Sequence, residues 1–125
     1  MFYNHHGEKY WQTEKKLAKF KLVLDQAPAA VFIVRKDSKF EYINPQFTKL
    51  SGYTEEDLLN KDLTQTLYHG QVPESRKSII ESIRNGNSWR GELLTIRKDG
   101  SKYWASTIAA PYRDENGNMD GYIVI

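Results

Sequence analysis

The hydrophobic positions change period near residue 28. Between residues 8 and 27, Tyr10, Leu17 and Leu24 recur every seven residues, with Thr13, Phe20 and Ala27 falling between them. Glu14, Lys15, Lys16, Lys19 and Lys21 fill the intervening polar positions. This spacing predicts one amphipathic helix, ended by Pro28. The simplest use of its stripe is packing on the domain's own sheet; a dimerising helix is the alternative. From Ala29 the pattern shifts: AAVFIVR reads as a buried strand, KDSK as a turn and FEYIN as an alternating second strand. Asn44-Pro45 opens a short helix closed by Gly52, and Thr54 caps another, with Asp57 in the capping-box position. Residues 61–72 show no clear period and predict a loosely structured stretch. Pro73 falls in the first turn of a longer helix carrying Ile79, Ile80 and Ile83, and Gly86 lies just past its end. The last third reads as three strands, WRGELLTIR, SKYWASTIAAPYR and GYIVI. Turn signals at Lys98-Asp99-Gly100 and from Asp114 to Asn118 join them. Helix, two strands, several short helices and three strands predict an α+β fold, with an antiparallel sheet and helices grouped on one face.

Composition narrows the chemistry. The 125 residues make one domain, and 39% apolar with 27% charged residues is an ordinary globular composition. Eighteen Lys and Arg against sixteen Asp and Glu give +2, a balance that argues against a nucleic-acid binder. The longest apolar run, Ala29 to Val34, is six residues, too short to span a bilayer, so no direct membrane contact is expected. A cytoplasmic location fits this pattern. The final GYIVI falls inside a strand-like run, so the expectation is a domain cut from a longer protein.

Catalytic patterns are missing. Cysteine is absent, which removes disulfides, thiolate nucleophiles and cysteinyl adducts. Neither GxGxxG nor a Walker pattern occurs, and Ser51, Ser75, Ser78 and Ser106 have no histidine placed to activate them. Glu55-Glu56-Asp57 stands at a helix start, where capping and the macrodipole account for it. The expectation is that this chain is not an enzyme. His69 reads as a solvent-facing loop residue, and His5 and His6 lack the remaining ligands of a metal site.

Two longer segments carry a resemblance. YINPQFTKLSGYTEEDLLNK, with Asn44-Pro45 and the Gly52-Tyr53 corner, and the stretch from Trp89 to Ile125 together resemble the PAS sensory-domain family, over about residues 20–125. One departure is that Arg35 and Ser38 stand where the family often carries Asp and Gly. The resemblance implies a five-stranded antiparallel sheet with short helices on one face. It divides the chain into a tail and flanking helix (1–27) and the PAS domain proper (28–125). It also implies a sensory role within a larger bacterial signalling protein, a sensor histidine kinase or a diguanylate cyclase or phosphodiesterase. Such a domain senses a small molecule and signals to a C-terminal output domain through flanking helices and homodimerisation. A ligand-free dimerisation or docking module and an FAD-type redox sensor are the alternatives.

The resemblance also speaks to cofactors. In photoactive members a cysteine forms an FMN adduct; its place falls on Leu63, and the neighbouring phosphate-binding Arg falls on Thr64. The two flavin-binding asparagines fall on Thr95 and Ala105, so no FMN adduct is expected. Trp89, Gly91-Glu92 and Tyr103-Trp104 resemble redox FAD sensors, but also many flavin-free relatives. Haem is not expected, because His69 does not lie on a helix face directed at the cavity.

By the family's geometry, Tyr103, Ala105, Thr107 and Ala109 line the inner sheet face, with Leu93, Thr95, Phe32 and Val34 beside them. Phe47, Leu50, Tyr53, Leu58 and Ile79 or Ile83 come from the helices. A row of small residues opposite helices leaves room for a pocket. Thr95, Thr107 and Tyr103 add hydroxyls, so the expected ligand is a neutral or weakly polar organic molecule; no Arg or Lys falls in this set, which counts against a dicarboxylate. Trp104 and Ile108, with Leu94 and Ile96, make the outer face apolar. Leu17, Phe20 and Leu24 of the helix, with Tyr10 on the same stripe, are expected to cover it from the same chain or from a partner.

Overall fold

The computed structural model describes residues 5–68 and 74–125; in the first helix side chains are described from Lys15 on, Leu17 excepted, and in the fifth the Ser75 side chain is not. The elements run α1 (His5–Gln26), β1 (Phe32–Arg35), β2 (Phe40–Ile43), α2 (Pro45–Ser51) and α3 (Glu55–Leu58). They continue with α4 (Leu63–Tyr68), α5 (Glu74–Arg84), β3 (Trp89–Ile96), β4 (Lys102–Arg113) and β5 (Met119–Val124). The strands form one antiparallel five-stranded sheet in the order β2-β1-β5-β4-β3. The last strand therefore sits at the centre and joins two halves that the helices separate in sequence.

Local chemistry explains the boundaries. The Asn44 side chain accepts from Phe47 N at the start of α2, Pro45 fills the first helical position, and Gly52 closes the helix at φ 81°. Thr54 and Asp57 form a complete capping box around α3. In the β3–β4 turn, Asp99 Oδ1 accepts from Ser101 N at 2.9 Å and Gly100 takes φ 89°. In the β4–β5 turn, Asp114 Oδ1 accepts from Asn116 N and Asn118 N, and Gly117 takes φ 82°. Ser38 carries φ 67° in the β1–β2 turn, a left-handed conformation that glycine adopts without strain. Asp37 Oδ1 accepts from Lys39 N and steadies that turn.

One expectation is corrected. The stretch after Lys61 is not loose: α4 forms there, with Asp62 Oδ1 accepting from Gln65 N at 3.0 Å. Leu63 and Leu67, one helical turn apart, pack on the core. Pro73 and His69 lie outside the described residues.

Two apolar clusters make up the core. Val34, Phe40, Ile43, Phe47 and Leu58 form one; Ile79, Ile83, Leu93 and Ala109 form the other. Each fully buried aliphatic side chain contributes about 1.5–3 kcal/mol. Tyr122 on the central strand packs against both clusters.

Two polar junctions fix the helices. At the first, Asn44, 1% exposed, makes four hydrogen bonds. Its Oδ1 accepts from Val31 N and Phe47 N, both at 2.9 Å. Its Nδ2 donates to Leu24 O at 3.0 Å and Ala29 O at 2.9 Å. Tyr42 also donates to Asp25 Oδ1 at 2.7 Å, so the last turn of α1 is tied to β2. At the second, Arg97 Nε donates to Leu50 O at 2.9 Å and Lys98 N to Ser51 O at 2.8 Å. Lys98 Nζ reaches Asp57 Oδ2 at 2.9 Å, so α2 and α3 are held to the β3–β4 turn.

Candidate functional site

Strand alternation decides what can meet the helices. On β4, Thr107 is 7% and Ala109 1% exposed, whereas their neighbour Trp104 is 68% exposed. Leu93 on β3 is buried and Leu94 beside it is exposed. Thr107, Ala109 and Leu93 thus lie on the inner face, and Trp104 and Leu94 on the outer.

Two cavities lie between that inner face and the helices. The first, about 330 Å³, is bounded by α5 through Ile79 and Ile83 and by the sheet through Leu93, Ala109, Met119 and Tyr122. The second, about 350 Å³, lies under α2 and Tyr53, against Thr95, Tyr103 and Ala105. Both share Phe32, Tyr68, Arg76, Thr107 and Val124 as walls. Residues 103–107 of β4 pair with β3 alone, because β5 joins β4 only from Ile108 onward. The second cavity reaches that open edge, where Trp104 and Ser106 border it.

The expected site residues are mostly brought together. Phe32, Ile79, Ile83, Leu93 and Thr107 line the first cavity. Phe32, Phe47, Leu50, Tyr53, Thr95, Tyr103, Ala105 and Thr107 line the second. Val34 and Leu58 line neither: each is fully buried, packed among Phe40, Ile43 and Phe47. Leu63 and Thr64 border the first cavity.

The structure corrects the expectation that no cation faces inward. Arg76 lines both cavities. Its Nη2 donates to Thr95 Oγ1 at 3.4 Å and Leu94 O at 3.5 Å, and its guanidinium lies 5.6 Å from the centre of the Tyr68 ring. The sequence carried a signal: Arg76 is three and seven residues before Ile79 and Ile83, on the same helical stripe. Tyr68 and Tyr122 were also not anticipated at this site. Burial raises the phenol pKa values of Tyr68, Tyr103 and Tyr122, the last to about 12, so all three hydroxyls keep their protons at neutral pH. Arg97 stacks over Tyr103 at 4.3 Å and fixes that ring.

The outer face differs from the same-chain reading. Trp104 is 68%, Leu94 45% and Ile96 46% exposed, while Phe20 on α1 is 67% exposed. Ile108 and Leu24 are half-buried. Phe20 and Trp104 leave each other uncovered, because Asn44 and Tyr42 hold the end of α1 beside α2 and β2. The side chains of Tyr10, Leu17, His5 and His6 lie outside the described residues. Among the described residues no three potential ligands group to hold a metal ion, and no helix is long and apolar enough to cross a membrane.

Comparison with known proteins follows this geometry. The family profile described as "PAS domain" matches residues 28–125. The nitrogen fixation regulatory protein of Klebsiella oxytoca is 25% identical over 114 residues, 90% of this chain and 23% of that protein. Phototropin-1A of Oryza sativa subsp. japonica is 28% identical over 82 residues, 66% of this chain and 9% of that protein. The chain thus spans a quarter or less of these curated relatives. Among solved structures, the PAS domain of a Colwellia psychrerythraea protein superposes with a TM-score of 0.76 at 21% identity, covering 86% of this chain and 92% of that one.

Proposed function

The chain belongs to the PAS domain family, and from that premise we propose that it senses a small organic molecule held between the sheet and the helices. The observation that carries this reading is the pair of adjoining cavities on the inner face, walled by apolar side chains with a few polar groups. Leu63 stands at the adduct position and the chain has no thiol, so the sensing chemistry is reversible binding and not adduct formation. The part played is regulatory. The output comes from another domain of a longer bacterial protein, a sensor histidine kinase or a diguanylate cyclase or phosphodiesterase, working in the cytoplasm. In support, the matching segment makes up only 23% of a curated regulatory protein.

Transmission runs through a homodimer. Phe20, Leu22 and Val23 on α1 and Trp104, Leu94 and Ile96 on the sheet are all exposed in the single chain, and such apolar surface favours association. Two copies satisfy both patches when α1 of each lies over the outer face of the other.

Native mass spectrometry of the chain purified from several hosts tests the sensing role. A bound small molecule, or a thermal shift on its return to stripped protein, supports it. A bare mass from every host, with no shift from any probe, refutes it. Sedimentation tests the dimer: Phe20→Asp with Trp104→Ser produces monomer, and an unchanged dimer removes these patches from the interface.

A further inference from the structure

The walls of the two cavities carry charge of one sign. Arg76 stands where they meet, and Arg35, Lys36 and Arg84 border the first cavity. Among the described residues no Asp or Glu lines either one. The chain as a whole is nearly balanced at +2, so this is a local arrangement and not a reflection of composition. The four cations are not equivalent. Arg35 is engaged by Asp37 at 3.3 Å and Asn60 at 3.2 Å, and Lys36 and Arg84 are exposed. Arg76 alone is shared by both interiors. It meets only neutral acceptors at 3.4 and 3.5 Å, and no carboxylate pairs with it among the described residues. A guanidinium presents five N–H donors, and among the described residues hydrogen bonds are made through Nη2.

We propose, resting on the cavity reading above, that the occupant is an organic anion with an apolar body, its carboxylate or phosphate head held by Arg76. The guanidinium fork matches either head in two-point fashion. Tyr68 and Tyr122, protonated and beside Arg76, supply neutral hydroxyl donors that an anion accepts without repulsion. The apolar body lies along Phe32, Val124 and Ile79 in the first cavity, or along Phe47 and Leu50 in the second. Lys36 and Arg84 draw the anion toward the opening. The row of cations thus explains why α5 places an arginine on its otherwise isoleucine-bearing inner stripe.

Three probes with one ten-carbon body separate the head group from the cavity: 1-decanol, decanoate and decyl phosphate, each titrated calorimetrically. A charge-assisted bond predicts that one or both anions bind roughly tenfold to a hundredfold tighter than decanol. In Arg76→Met, which keeps the bulk of the side chain, that preference falls to about one, while decanol affinity stays within about threefold. Whichever anion binds tighter identifies the head. Equal binding of all three probes by the wild type, or an anion preference that survives Arg76→Met, overturns the anion proposal and leaves the cavity reading standing. Failure of all three to bind overturns both. Thr107→Phe, which fills the wall common to both cavities, abolishes binding of every probe; retention places the probes on the outer face and likewise overturns both.

Discussion

Replacing Asn44 separates a helix cap from a junction. In Asn44→Ala, four hydrogen bonds disappear together: those to Val31 N, Phe47 N, Leu24 O and Ala29 O. At a net contribution of about 1 kcal/mol per bond, the loss is about 4 kcal/mol. Asn44→Ser keeps a side-chain oxygen close enough to cap Phe47 N but reaches none of the other three. A cap alone contributes about 1 kcal/mol, so the serine variant loses about 3 kcal/mol. Against a typical domain stability of about 5–15 kcal/mol, that difference is large. Urea unfolding followed by tryptophan fluorescence measures it, and an unchanged m-value certifies that stability alone has moved. Hydrogen exchange adds a second reading, because amides of residues 20–26 lose protection when Leu24 O and Ala29 O are released. If Asn44→Ser lies within about 0.5 kcal/mol of the wild type and Asn44→Ala within about 1 kcal/mol, the residue is a cap and nothing more, and the joint between α1 and the sheet is refuted.

Three further outcomes follow from the geometry. Gly121→Ala on the central strand is destabilising by about 2 kcal/mol or more, because the added Cβ meets the Val34 carbonyl oxygen and the Tyr112 phenol ring; chemical unfolding that matches the wild type contradicts this packing. The Thr54 backbone N–H and the Lys98 ammonium hold the Asp57 pKa down at about 2, so its contribution is present above the ordinary carboxylate pKa and disappears as pH falls from about 4 towards 2. Asp57→Asn therefore flattens the acid limb of the stability–pH curve, and an identical limb refutes the assignment. Burial lifts the Tyr122 pKa to about 12, so the protonated phenol favours the folded state below about pH 10 and that contribution fades as pH rises to about 12. Tyr122→Phe reduces the slope of urea midpoint against pH in that window; an unchanged slope shows that the phenol ionises there without resistance.

How much could be foreseen differs from element to element. The two faces of β4 were legible, because a strand repeats every two residues and Ala105, Thr107 and Ala109 alternate with Trp104 and Ile108. The caps at Asn44 and Thr54 were legible for the same local reason. α4 was not, because its two threonines have low helix propensity and its support comes from Leu63 and Leu67 packing on distant strands. Arg76 was missed because a charge on an apolar stripe is ordinarily assigned to solvent, and only the distance between layers shows that it reaches Thr95. The placement of α1 was left open: an apolar sheet face announces that something covers it, but where α1 lies depends on contacts made by Asn44 and Asp25 far from that face.

The helical layer is gripped unequally. α2 and α3 are bolted to the β3–β4 turn by Arg97 and Lys98 at 2.8–2.9 Å, whereas α5 rests on Ile79, Ile83 and the two long bonds of Arg76. Apolar contacts slide at little cost; short charge-assisted bonds do not. Were anything to enlarge the interior, α2 and α3 would resist as one wall and α5 would be the first to give.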